Sequence, residues 1–594
     1  MDSTKTDSVT FQHAEALTET KTSESYLSVP DKIGIHAKTI FAVLAIDFIV
    51  FGQLMAVLGS GILAQQTTGL FGDTTKAVWL STILTIFIVA LNPPLSQAAD
   101  LWGRKWILVI TSLGGFVGPL IISRAQSIRT LIVGFCVLGL SFGSQSLLYA
   151  VPSEVIERRH RAWAQASVNC SASIAAVVAV LLGGGLTKSG NLENYRIFWY
   201  VVAAIYFLAV VSVIIGYNPP PRDLEISLKT REKIQKVDWI GALLITSGLT
   251  LLCIALQWSG TRYSWGDAHI LATFIVGVIL MSGFGIHELW FKADGVCHHA
   301  LFNDRDFAIT MVATFCEGIG FFTPNNYFVF EITVLDGIDS FSASLRFLIV
   351  FIVSMTSALV SGYWITKARQ VREPLALGFA GLVVFNALMA GVNSSTPSAA
   401  YWGYAVFAGT GLGFILVSLT LSVQMSTPGA LISPASGLFI ATRGFGGAVG
   451  IAINNAIFQN GLKSLPTKVA EAVLPLGFPA TELGLLIGAL NSGNTTAIAT
   501  IPGITPQILG AASGGLKEGY IHAFRYTWVA AACFSVVGLV TCLFLTNHKD
   551  QFTAHIDAPV EASLVDLQEK IEPRRTASKT RQGRQVLQDI SEAV

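Results

Sequence analysis

Fourteen stretches of about twenty mostly apolar residues recur along this chain, and a stretch of that length has few places to go. Crossing a hydrocarbon layer of about 30 Å takes roughly 20 residues of α-helix, and only a helix satisfies all its own backbone groups where water is absent. The runs lie near 39–63, 77–97, 106–123, 128–151, 163–186, 197–217, 239–258, 270–291, 307–330, 345–366, 374–392, 400–424, 431–459 and 524–546. Composition agrees: of 594 residues, 52% are hydrophobic and 13% charged, against about 25% charged in ordinary globular domains. The expected class is an all-α polytopic membrane protein with about 14 transmembrane helices. Two places read equally as a proline-containing loop or a broken helix, 324–345 and 424–431.

Lysine and arginine in short loops orient such a chain, because basic loops stay on the cytosolic side. With a cytosolic N-terminus, the inner loops carry fifteen basic residues, beginning with Arg104 and Lys105 and ending with Arg372, and the short outer loops carry six. Both termini are therefore expected in the cytosol. The sequons at Asn393 and Asn494 fall in outer loops and are candidate N-glycosylation sites. The expected organisation is a disordered cytosolic tail over 1–38, a six-helix bundle over 39–217 and a cytosolic linker over 218–238. An inserted helix pair follows over 239–291, then a second six-helix bundle over 292–546 with an extracellular loop at 461–523, and a cytosolic tail over 547–594. Paired halves of this kind commonly hold a solute site between them. The short apolar stretch Thr481–Leu490 is too short to span and is expected on the outer surface.

Several functions are excluded. A net charge of +1 provides no field for nucleic acid. No G-x-x-x-x-G-K-[ST] loop exists for a nucleotide-driven pump. The seven cysteines are scattered, and Cys297-His298-His299 has no second cluster, so no metal and no other cofactor is expected. Nothing resembles an enzyme's paired catalytic groups. A transporter-like sensor would keep the helices and lose transport, but the tail is short for a signalling domain.

The most specific motif joins the second and third spans, Ser96-Gln-Ala-Ala-Asp100-Leu-Trp-Gly103-Arg104-Lys105. Gly103 permits a tight turn, Asp100 can face the positive end of a neighbouring helix, and Arg104 offers a planar fork for a carboxylate. Glu154, in Pro152-Ser-Glu154, is the partner expected for it. Here the chain resembles the major facilitator superfamily, whose hallmark in this loop is G-x-x-x-D-(R/K)-x-G-R-(R/K), with Ser96 and Leu101 as departures. The resemblance implies that Asp100, Gly103, Arg104, Lys105 and Glu154 form a latch that breaks when the cavity turns inward. A weaker copy lies between spans 10 and 11, Gly362-Tyr-Trp-Ile-Thr-Lys367-Ala-Arg369.

Span 13 narrows the likeness. Its Ser436-Gly437 … Arg443-Gly444-Phe-Gly446-Gly447-Ala-Val-Gly450 is similar to the fourteen-span drug:proton antiporters, and the layout to fungal trichothecene-efflux-type pumps and siderophore-iron transporters. Gly446-x-x-x-Gly450 lets another backbone approach closely. Gly183 and Gly184 remain from an antiporter motif on span 5 whose proline is absent here, Val180 standing in its place. That departure weakens the implied proton antiport.

Ionisable residues inside spans usually face a bundle interior or a water-filled cavity. Asp47 in span 1, Glu317 in span 9 and Arg443 in span 13 are the candidates for proton coupling or cargo binding, with Asp47 and Glu317 expected at equivalent cavity-lining places. The expected function is proton-coupled efflux of a small hydrophobic secondary metabolite, toxin or drug. Siderophore-iron uptake is the alternative. The expected partners are the lipid bilayer, a small-molecule cargo and protons, with no nucleic acid, and the expected state is a monomer. The resemblance implies the plasma membrane, the vacuolar membrane being the other address.

Overall fold

Each of the fourteen apolar runs is a helix long and apolar enough to cross a membrane. The computed structural model describes residues 37–560, apart from 73–75, 189–190, 222, 228, 260–262, 293, 493–497 and 499. The Asn494 sequon and most of both tails fall outside the described residues. In chain order the helices are α1 (Ala37–Ile62), α2 (Ala77–Trp102), α3 (Arg104–Ser123) and α4 (Ile128–Val155), the last passing through a 3₁₀ turn at Leu140–Ser144. There follow α5 (Arg161–Lys188), α6 (Tyr195–Gly216), α7 (Trp239–Trp258), α8 (Ala268–Trp290) and α9 (Arg305–Asp336). The chain ends with α10 (Ser340–Ala368), α11 (Arg372–Ala390), α12 (Ala400–Met425), α13 (Ile432–Leu462) and α14 (Pro506–Leu543). No strand occurs among the described residues beyond an isolated bridge between Ser259 and Tyr263.

Helix starts follow local chemistry. Side chains of Ser127, Asp238, Asp267, Asp304, Asp339 and Thr505 each accept a backbone N–H in the first turn of the helix that follows, satisfying donors that have no partner within the helix. Between α2 and α3 stands one residue, Gly103, at φ +85°, a conformation that favours glycine. At the corresponding corner after α10, Arg369 takes a left-handed φ of +53°.

Pro324 does not break α9. The helix runs unbroken for 32 residues, the ring removing a single N–H, the one that would reach the Gly320 carbonyl. Thr323 Oγ1 donates to Ile319 O (2.8 Å) and Asn326 Nδ2 to Phe322 O (2.7 Å). The last membrane helix also departs from expectation, beginning at Pro506 rather than near 524. Lys517, Glu518 and several glycines lower the hydropathy of that stretch, yet it stays helical. Its Gly515 and Gly519 lie against the short helix Leu465–Val473. With Leu483–Ser492, these pieces form an apolar cluster of their own, including Val469, Phe478, Leu486, Ile501 and Ile508. Much of the expected loop 461–523 is therefore a packed helical cap.

α7 and α8 pack against each other, Gly248 beside Met281 and Gly277 beside Leu252. α7 leans on α2 and α13, with Thr246 Oγ1 donating to Ala90 O (2.9 Å) and Asn455 Nδ2 to Ser259 O (3.0 Å). The main contacts between the flanking helix sets run along two seams, α5 with α10 and α2 with α13. The face where α2 meets α3, rich in Lys and Arg, is called the basic face below, and the opposite one the far face.

Candidate functional site

Glycine determines where the central charges meet. A Cβ on Gly318 of α9 would collide with the carbonyl oxygen of Arg443, and one on Gly446 of α13 with that of Phe315. Gly450 completes the stripe, its Cβ position 3.0 Å from Ile319 Cα. The two helices therefore touch backbone to backbone, as small residues permit inside a bilayer. At this crossing Arg443 Nε donates to Glu317 Oε2 at 2.7 Å and Nη2 to Oε1 at 3.0 Å. Both carboxylate oxygens are engaged in one plane, the geometry in which arginine holds an acid most firmly. The guanidinium also lies 4.9 Å from the Phe321 ring centre. Glu317 is fully buried, while the Arg443 side chain keeps 14% of its surface.

That residual surface opens onto a cavity of about 80 Å³ between the two helix sets, smaller than a drug-sized ligand pocket. Its walls come from α1, α4, α5, α9, α10, α12 and α13, and they combine apolar and aromatic groups (Phe142, Phe321, Phe351, Leu412) with polar ones (Gln53, Gln145, Asn169, Ser173, Tyr149). Arg443 is the single ionisable group with a formal charge among its lining residues. A smaller, almost wholly apolar space of about 10 Å³ adjoins it and reaches Glu317. Such walls suit an amphipathic organic molecule, since apolar surface provides burial and a few amides fix orientation.

Toward the basic face the cavity is closed. The Tyr149 carbonyl accepts from Gln165 Nε2 (2.8 Å) and from Gln424 Nε2 of α12 (3.1 Å). Ser433 Oγ at the start of α13 donates to Ser96 O of α2 (3.1 Å). Beside them Arg104 pairs with Asp100 at 3.1 Å and with Glu154, all three side chains being buried. Gly103 lies against the Glu225 carboxylate.

Other expected site residues lie elsewhere. Lys105 does not join the Arg104 cluster. The helix turns it toward α6, where its Nζ donates to Ile214 O (2.9 Å) and to Asn218, a cation at a helix C-terminus. Nor does Asp47 occupy a place equivalent to Glu317: it lies one turn nearer the basic face than Val50 and is turned toward α5, outside the cavity wall. Ser171 Oγ donates to its backbone carbonyl (2.7 Å), and its Oδ1 is buried without a hydrogen-bond partner. Gly183 and Gly184 pack on Ile62 and Phe341 at the far end of the α5–α10 seam, and Gly447 meets Phe322. Asn393 is in the loop after α11, its Oδ1 accepting from Ser395 N (2.9 Å). His298 and His299 are occupied structurally, one capping Ala300 N and one bonded to Glu288 O. Sequence reasoning missed the aromatic and amide lining, because such residues are common in any membrane span.

A family model described as Major Facilitator Superfamily matches residues 40–451. Among relatives, the MFS-type transporter VdtG of Byssochlamys spectabilis is 25% identical over 80% of this chain and 82% of its own length. The acurin A biosynthesis cluster MFS-type transporter of Aspergillus aculeatus is 22% identical over 88% and 91%. The MFS-type efflux pump elcC of Phaeosphaeria nodorum is 25% identical over 75% and 77%. Among solved structures, the proton:xylose symporter XylE aligns over 84% of this chain and 94% of its own with a TM-score of 0.50 at 14% identity, a likeness of fold.

Proposed function

Because the chain belongs to the major facilitator superfamily, and is a membrane transporter rather than an enzyme, we propose that it exports a small hydrophobic secondary metabolite or toxin by alternating access. The observation that carries this reading is the cavity between the two helix sets, apolar and aromatic with a few amides, closed at the basic face and holding one paired arginine. Relatives named as efflux pumps or biosynthesis-cluster transporters favour a fungal metabolite as cargo. The basic face is assigned to the cytosol from its lysines and arginines, and the plasma membrane is the assigned location. Siderophore uptake fits less well, since the cavity wall carries a single cation, and that cation is already neutralised.

In this reading Asp100, Arg104 and Glu154 latch the cytosolic side shut while the cavity faces outward. Glu317 and Arg443 sit where cargo and coupling meet. A proton on Glu317 would release Arg443 toward the cavity, so protonation and cargo contact act on the same guanidinium. Asp47 is the second candidate for proton coupling, its unbonded carboxylate oxygen lying on the cytosolic side of the cavity.

Deletion and overexpression, with metabolites measured inside and outside the cell, test the direction. Overexpression should lower the cell-associated metabolite; growth on a supplied ferric siderophore that depends on the protein would reverse the assignment.

A further inference from the structure

The chain after α14 is bound to both helix sets. Near its start it is fastened to the C-terminal set: Thr546 N–H donates to Asp306 Oδ2 (2.9 Å), and Asn547 Nδ2 donates to both Glu373 carboxylate oxygens (3.0 and 2.9 Å). Asn547 Oδ1 in turn accepts from the backbone of Val371 and Arg372 (2.8 and 3.0 Å). A few residues later the same segment is fastened to the N-terminal set at the α4–α5 corner. Arg158 N–H donates to His555 O (3.0 Å), Arg159 N–H to Thr553 O (3.0 Å), and Ala558 N–H to the carbonyl of Glu154 (2.9 Å).

Asp557 is the fastener. Arg158 grips both its oxygens (Nε–Oδ2 3.0 Å, Nη2–Oδ1 2.6 Å), and Arg161, buried to 1% exposure, reaches the same carboxylate. Gly429, in the α12–α13 loop, has no room for a side chain beside it. Between the two anchorages Phe552 is buried among Ala162 and Ala166 of α5, Ala358 and Ile365 of α10 and Leu421 of α12, which is the α5–α10 seam at the basic face. A bidentate charge pair held out of water costs much to break from one side, and the wedge beneath it is apolar.

We propose that residues 546–560 are a strap across the cytosolic seam, with Asp557 as a positioning residue that must leave Arg158 and Arg161 before the basic face opens. The inference rests on the alternating-access reading. Opening separates the α4–α5 corner from the α10–α11 corner, and the strap is tied to both. Glu154 belongs to the strap through its carbonyl and to the latch through its carboxylate, so the two closures share a residue.

Hydrogen–deuterium exchange of the full-length protein in lipid nanodiscs tests this, comparing Asp557→Asn, Asp557→Glu, Phe552→Ala and Arg104→Gln. The reporter is 92–100 of α2, which meets α13 at the basic face through the Ser96 carbonyl. Asp557→Asn and Phe552→Ala should speed exchange there by about tenfold, Asp557→Glu should restore much of the protection, and the far-face helix Leu465–Val473 should keep its rates in all variants. Acceleration confined to residues 153–161, while Arg104→Gln accelerates 92–100, overturns the strap and leaves the gate standing. No change at 92–100 in any variant overturns both.

Discussion

Arg443 on α13 lies in one plane with both carboxylate oxygens of Glu317 on α9, at 2.7 and 3.0 Å, where glycines bring the two backbones into contact. A bidentate pair in this position is a commitment: neither charge has another strong partner among the described residues, so removing one strands the other.

Glu317→Gln should therefore destabilise the protein by about 3 kcal/mol or more, because it leaves a guanidinium without its counter-charge in the bilayer interior. The double variant Glu317→Gln with Arg443→Gln should recover much of that loss and remain inactive in transport. Thermal unfolding in nanodiscs, paired with vesicle flux, reads both; a double variant no more stable than the single would contradict the pairing argument.

The two basic residues after Gly103 should behave differently. Arg104→Gln breaks contacts to Asp100 and Glu154 and should open the basic face, increasing alkylation of a cysteine placed at Ser433 in inside-out vesicles. Lys105→Ala removes a cation from the end of α6, worth about 0.3–1 kcal/mol, and should leave that labelling unchanged. Equal labelling in the two variants would count against a latch centred on Arg104.

Two glycine-to-alanine changes should have opposite signs. Gly446→Ala drives a methyl into the Phe315 carbonyl and should cost about 1–3 kcal/mol, with transport lost as α9 and α13 separate. Gly403→Ala on α12 meets nothing within 4 Å and should be neutral or stabilise by up to about 1 kcal/mol. Melting temperatures that fell equally would show that the α9–α13 crossing has slack.

Asp238, which begins α7, carries a pH signature. Burial alone would raise its carboxyl, but the Gly241 N–H, His287 and Glu288 more than offset this and hold it below the ordinary carboxylate range. A depressed folded value means the contribution is fully present above the unfolded carboxylate range and disappears as pH falls through the folded value. Asp238→Ala should cost about 1 kcal/mol near neutrality through the lost cap, and the gap to the wild type should close in acid. A gap that stays constant down to pH 3 would remove Asp238's charge from the account.

Legibility in the sequence tracked how local each determinant is. Hydropathy is a property of twenty consecutive residues, so all fourteen helices could be read, and a buried arginine at the α2–α3 corner has few acids within reach, so Glu154 could be named. The Glu317–Arg443 pair spans 126 residues; nothing local links its members, and each stood alone until the glycines of two distant helices were seen to meet. Asp47 was placed by an assumed equivalence of α1 and α9, but equivalent helices need not turn equivalent positions inward. The first half of α14 is hard to read because Lys517 and Glu518 lower the hydropathy of a stretch that is nonetheless helical. Residues 546–560 read as ordinary polar tail, since Asp557 acquires its meaning only from Arg158 and Arg161 nearly 400 positions earlier.

The placement of α7 has one more consequence. By lying against both α2 and α13, α7 backs the α2–α13 seam with a further helix, whereas the α5–α10 seam is backed at the basic face by Phe552 of the segment after α14; the two joints between the helix sets are thus braced by different parts of the chain.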